Sequence, residues 1–157
     1  MNYLPLDQYK YAWVFRRQDM AVTPDDLAQI KPLTASRSAE VWRGQISPVC
    51  LYPSHFGSGD WAGQEKTWKA KEQWQGAWDS DSPELPELLS GHIKWEPNVT
   101  VYFCYKHDHV IETTWGVFRR NWKCFLFFDD GPLLVGRKRK EVAQFFEDGT
   151  LQVGIRA

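Results

Sequence analysis

The sequence predicts an α+β fold in which N-terminal helices pack on a mainly antiparallel sheet formed largely by the C-terminal half. Three observations carry that expectation. Helix-start signals and apolar residues at three- and four-residue spacing concentrate in the first half of the chain. Alternation with period two begins at Val99 and recurs to the end. The two patterns are segregated, whereas a parallel sheet would interleave them. At 157 residues the chain has the size of one domain, residues 1–157, able to bury a core without metal or disulfide staples.

Taken in order, Tyr11–Arg16 is short, aromatic and β-branched, which predicts a strand. Thr23-Pro24-Asp25-Asp26 starts a helix: the hydroxyl caps, proline fits the first turn, and two carboxylates meet the positive end of the dipole. Pro32 is expected to stop that helix after little more than two turns. Thr34 or Ser36 caps the next, with Ala35, Ala39, Trp42 and Ile46 on one stripe. Ser47–Gly59 reads as a loop. A third helix is expected from Asp60 to Trp78, because Trp61, Trp68, Trp74 and Trp78 fall on one half of a helical surface. Leu85, Leu88 and Leu89 suggest a short helix closed by Gly91. Val99–Tyr105 and Val110–Thr114 flank Lys106-His107-Asp108-His109 as a hairpin. Trp115–Asn121 is expected to be a short helix capped by Thr114. Trp122–Phe128 is apolar on both faces and reads as a central strand covered on both sides. Asp130-Gly131-Pro132 turns the chain into Leu133–Val135. Glu141–Phe146 and Leu151–Ile155 pair through Asp148-Gly149.

Composition narrows the function classes. A formal charge of −1 argues against a general pull toward nucleic acid or anionic membrane. No apolar run approaches the 18 or so residues of a membrane span. Residues 1–17 lack the pattern of a secretory signal, and three cysteines (Cys50, Cys104, Cys124) make an odd count. A reducing, cytoplasmic setting with buried thiols is therefore expected. Nine tryptophans are unusual. Rings stack on ligands, but they also fill cores, and the core role is the favoured reading.

Residues with chemistry to offer are few. In the register that sets Tyr105 against Val110 and Phe103 against Glu112, the carboxylate of Glu112 lies among aromatic side chains. There it is a candidate acid or base, or else an edge carboxylate bonded to an Arg or a Tyr hydroxyl. A three-residue loop would flip that register. Trp115, Arg119 and Arg120 follow closely enough to share a site with it. His107 and His109 are candidate ligand-binding residues. As zinc ligands they lack a third partner, and a tight turn would separate them, so no metal and no cofactor is expected. Cys104 and Cys124 sit in apolar runs and do not look activated. Arg137-Lys138-Arg139-Lys140 is the densest basic run and a candidate phosphate-binding segment, though acidic neighbours offset it. Asp79–Glu87 is acidic and reads as a solvated connector.

Asp108-His109-Val110-Ile111-Glu112-Thr113-Thr114-Trp115-Gly116-Val117-Phe118, then Asp129-Asp130-Gly131-Pro132, resembles a family of small bacterial proteins known only as a domain of unknown function. Leu4-Pro5-Leu6-Asp7-Gln8-Tyr9-Lys10 with Ala12-Trp13 is similar too. The resemblance spans nearly the whole chain and implies a bacterial cytosolic protein, with no activity or ligand to carry over. The leading functional expectation is a non-catalytic binding or interaction module for an unidentified protein or small molecule. The alternatives are a small enzyme centred on Glu112 and a phosphate or nucleic-acid binder using residues 137–140.

Overall fold

The computed structural model describes residues 2–127 and 131–156. Its helices are α1 (Pro24–Leu27), α2 (Ala35–Gln45), α3 (Gln75–Asp79), α4 (Glu87–His92) and α5 (Trp115–Phe125). Its strands are β1 (Lys31–Pro32), β2 (Trp68–Gln73), β3 (Thr100–Lys106), β4 (His109–Thr114), β5 (Leu133–Gly136), β6 (Glu141–Phe145) and β7 (Thr150–Ile155). Among the described residues the strands form one sheet in the order β1-β4-β3-β5-β6-β7-β2, and every pairing is antiparallel. The bulk of that sheet comes from the C-terminal half, as an α+β fold with segregated patterns requires.

Alternation along β3, β5 and β6 buries both faces of the sheet centre. On one face Phe103, Leu134, Ala143 and Phe145 meet Phe118 and Phe125 of α5 and Phe15 of the N-terminal segment. On the other, Tyr102, Cys104, Leu133 and Val142 meet Val41 and Trp42 of α2 and Ile46 just after it. Two layers therefore cover the sheet, and β3 between them is almost wholly shielded from water. No described helix is long and apolar enough to cross a membrane.

The caps form as their residue types dictate. Thr23 accepts the amide of Asp26, Thr34 that of Arg37 and Thr114 that of Val117. Both C-terminal hairpins form, with β6 and β7 reversing through a turn whose Gly149 has φ +89°. The stripe of α2 is rotated from expectation: Ser38, Val41, Trp42 and Ile46 are buried, while Ala35 is exposed.

Four expected elements differ. Tyr11–Arg16 is not a strand; Ala12–Phe15 is a 3-10 turn that sinks Val14 and Phe15 into the core, so packing overrides β propensity here. The helix from Pro24 ends at Leu27, and Pro32 lies in β1 at the sheet edge, where its missing N–H costs no ladder bond. Residues 60–78 are two 3-10 turns, β2 and α3, not one helix. The edge of β7 has free backbone groups, and β2 satisfies them, which outweighs a coincidental helical spacing of indoles. Trp122 to Phe125 continues α5, with non-helical angles at Asn121, and is not a strand. Trp115, Phe118, Trp122 and Phe125 recur at helical spacing, a period hidden by the apolar run around them. The expected strand's end at Phe128 and the turn residues Asp129 and Asp130 lie outside the described residues.

The tryptophans act mainly as ties between segments. Trp42, Trp74, Trp95, Trp115 and Trp122 are buried. Indole N–H groups donate to main-chain carbonyls from Trp42 (Cys50), Trp61 (Gln45), Trp68 (Ala62), Trp74 (Phe146), Trp78 (Lys123) and Trp122 (Pro83). Trp95 donates to Glu141. These rings thus fill space while their N–H groups satisfy main-chain carbonyls, or for Trp95 a carboxylate, in other parts of the chain. Cys50, Cys104 and Cys124 are free and buried. Burial pushes the Cys104 thiol up, and the Cys124 thiol to about 11, so neither is a thiolate at neutral pH.

Candidate functional site

The β3–β4 hairpin turns through His107-Asp108, and its register decides which side chains meet. Cys104 pairs with Val110 and Lys106 with His109, so Tyr105 is the extra residue of a bulge. The consequence overturns the expected register. Phe103 faces Ile111, and Glu112 faces Tyr102 on the opposite side of the sheet. There Tyr3 donates a 2.9 Å hydrogen bond to the carboxylate, and the Arg137 guanidinium lies 3.9 Å away. Glu112 is therefore held by a tyrosine hydroxyl and an arginine.

The residues expected beside it are elsewhere. Trp115 is buried, edge-on to Trp95 at 5.5 Å and stacked on Phe118 at 5.9 Å. Arg120 grips buried Asp26 through two hydrogen bonds of 3.1 and 2.8 Å, and Asn121 adds a third at 2.9 Å. The Arg120 guanidinium holds the Asp26 carboxyl below the usual carboxylate range. Arg119 is exposed on the rim of an open hollow next to that cluster. In the basic run, Arg137 donates to the Tyr102 hydroxyl at 2.6 Å and Lys138 takes φ 59° in the β5–β6 turn. The acidic residues Asp79, Asp81, Glu84 and Glu87 are exposed. His107 turns to the Leu51 carbonyl at 3.1 Å and sits edge-on to Tyr52.

His109 has different surroundings. Its ring stacks with Tyr105 at 4.4 Å and 24° and with Tyr11 at 5.3 Å and 23°. The Tyr9 hydroxyl bonds to its Nε2, and the Tyr9 ring is tilted against it at 5.5 Å. The bulge puts Tyr105 and His109 on one face, and the Tyr105 hydroxyl is anchored to the Phe125 carbonyl at 2.6 Å. Tyr9 and Tyr11 arrive from the N-terminal segment, whose consecutive 3-10 turns set the two rings edge to face at 5.7 Å.

Two hollows adjoin this stack. One, of about 370 Å³, is walled by Tyr11, Tyr52, Pro53, Tyr105, Lys106 and His109. The second, of about 320 Å³, shares Tyr11, Lys106 and His109 and adds Tyr9, Lys10 and Asp108. Burial, with Lys106 and Lys10 nearby, lowers the imidazole to about 4 against the opposing pull of Asp108. His109 is thus neutral at neutral pH, with one ring nitrogen engaged by Tyr9 and Nδ1 without a hydrogen bond among the described residues. Burial also pushes the Tyr9 phenol up, so it remains protonated. Lys106 is 3.5 Å from Asp108, and Lys10 lies over the Tyr11 ring at 4.9 Å. No cluster of three or more His, Cys, Asp or Glu side chains suited to a metal ion occurs among the described residues.

Of the residues singled out from sequence, His109 lines both hollows, whereas Glu112, Trp115, Arg119, Arg120 and His107 line neither. Sequence reasoning missed Tyr9, Tyr11, Tyr52, Lys10 and Lys106 as site residues. The one signal available was the repeated Tyr-Lys dipeptide at 9–10 and 105–106, which nothing in the linear text brings together.

An antiparallel sheet clad on both sides, with an aromatic cleft at the mouth of one hairpin, defines an α+β protein with a candidate small-ligand site. A family model described as a protein of unknown function (DUF2947) matches residues 3–154, and the chain belongs to that family. No curated protein and no solved structure matches it.

Proposed function

We propose that the protein is a non-catalytic binding module whose ligand is a small molecule held in the cleft at His109. The observation that carries this reading is the junction of two hollows on one aromatic stack, each within the size range of small-molecule sites. Tyr9, Tyr11, Tyr52, Tyr105 and His109 contribute rings to the walls, Leu4, Leu33 and Pro53 add apolar surface, and a few polar groups converge, a mixture typical of such sites. The groups themselves favour binding over reaction. A neutral imidazole tied to a protonated phenol is a donor-and-acceptor surface, and its low proton affinity makes it a weak base.

Glu112 supports an enzymatic reading less well, because its carboxylate is already engaged by Tyr3 and faces Arg137. The basic run supports phosphate binding less well, because Arg137 is committed to Tyr102.

Ligand-observed NMR with a fragment set of neutral, anionic and cationic single and fused rings tests the reading. The expected result is saturable binding by a subset of fragments, weakened at least fivefold by Tyr52→Ala. Tyr52 is exposed, so that change leaves the core intact. Absence of binding across the set, or binding that ignores Tyr52→Ala and Tyr11→Ala alike, would overturn it.

A further inference from the structure

The proposed cleft has a definite charge character, and the argument here rests on the reading of that cleft as a ligand site. Three ionised side chains line its hollows: Lys10 and Lys106 are cationic and Asp108 is anionic. With His109 neutral, the surplus is one positive charge. The two ammonium groups are not equivalent. Lys106 borders both hollows, and its partner Asp108 stands 3.5 Å away with its side chain 40% exposed. That pair is solvated and weak, so an entering anion can displace it at little cost. Lys10 is already placed over the Tyr11 ring, where its charge polarises one wall of the same space.

Most of the remaining lining is aromatic or apolar, with Ser54 and Gln8 as polar exceptions. Tyr11 and Tyr105 lie nearly parallel to the His109 ring, and Tyr52 and Pro53 close the side of the larger hollow. These rings already pack on one another, so a planar guest lies against the outer side of their stack, where it gains from edge or offset ring contact as well as from area removed from water. A guest placed there brings its edge toward Lys106, which borders both hollows. A surplus of a single charge matches a monoanion. A phosphate ester would bring close to two negative charges, and the Asp108 carboxylate would oppose the second.

We infer that the cleft selects a planar aromatic monocarboxylate, its ring laid against the open side of the Tyr11–His109–Tyr105 stack that borders the hollows and its carboxylate paired with Lys106. Lys10 supports the pairing from the second hollow. No bond is made or broken in the process.

Titration of the full chain, followed by amide NMR shifts at low salt, tests this with 2-naphthoate, its uncharged amide 2-naphthamide, acetate and adenosine monophosphate. The expected order is naphthoate at least tenfold tighter than naphthamide, with acetate and the nucleotide weaker still. Lys106→Met should weaken naphthoate far more than naphthamide, removing most of that tenfold preference, and Lys106→Arg should restore part of it. Asp108→Asn, which frees Lys106, should tighten naphthoate about threefold. Equal affinity for naphthoate and naphthamide, or tighter binding of the nucleotide, would overturn the inference. So would an unchanged preference in Lys106→Met. If fragments of other charge occupy the cleft while naphthoate does not, the ligand class falls and the binding reading stands. If no probe and no fragment binds, both fall.

Discussion

The Asp26 cluster gives the sharpest quantitative expectation. Asp26 lies in the first turn of α1, is 5% exposed, and accepts three hydrogen bonds from Arg120 and Asn121 of α5. It therefore joins two segments 94 residues apart. Removing the carboxylate in Asp26→Ala strands no buried charge, because the Arg120 side chain is 54% exposed and rehydrates. The ion pair then contributes about 1 kcal/mol after screening. The bond from buried Asn121 is less screened and contributes about 1.5 kcal/mol, although its amide retains the Val117 carbonyl. A loss of about 2–3 kcal/mol follows at pH 7, read as a lower urea midpoint with unchanged slope in tryptophan fluorescence.

The pH dependence carries a definite sign. The folded-state pKa of Asp26 is depressed, so the unfolded chain binds more protons as pH falls. The stabilisation is fully present above the unfolded carboxylate value of about 4 and is lost as pH drops through the lower folded value. The difference between wild type and Asp26→Asn should hold constant from pH 7 to pH 5 and shrink below about pH 4. A difference under about 0.5 kcal/mol at pH 7, or one that persists undiminished into strong acid, would refute the reasoning.

Three further outcomes follow from the same structure. His109 titrates at about 4, so imidazole NMR resonances should stay those of the neutral ring at pH 5.5; because the unfolded ring titrates near 6.5, this residue's contribution to stability is expected to decline as pH falls from about 6.5 to about 4. Trp74→Phe keeps a buried ring but loses the 3.0 Å bond to the Phe146 carbonyl, and urea unfolding should record a cost of about 1–3 kcal/mol, including the smaller ring. A Cβ at Gly154 would fall 2.1 Å from the Thr67 carbonyl oxygen, so Gly154→Ala must displace backbone and should cost about 3 kcal/mol. Gly44→Ala on α2 meets nothing within 4 Å and should instead stabilise by about 0.5–1 kcal/mol in the same assay.

Local signals made the caps and hairpins legible. Thr23, Thr34 and Thr114 each carry an oxygen at a helix start, and Asp148-Gly149 fixes a turn whatever surrounds it. What escaped was set by distant partners. β2 exists because the edge of β7 requires a neighbour, a demand that residues 68–73 do not advertise. The helical period of α5 lay inside a run so apolar that it matched a buried strand equally well. The Glu112 register turned on one bulged residue, Tyr105. For the cleft, His109 was visible as a chemically able residue. Its partner Tyr9 is 100 positions away, and only the fold brings the two together.

Amide NMR shifts mapped along the whole chain as bound fragments are titrated locate the ligand directly. Perturbations centred on residues 8–11, 52–54 and 105–109 are expected. Shifts centred instead on the Arg119–Asn121 hollow or on the 137–140 turn, with His109 and its tyrosines unmoved, would contradict binding in the cleft.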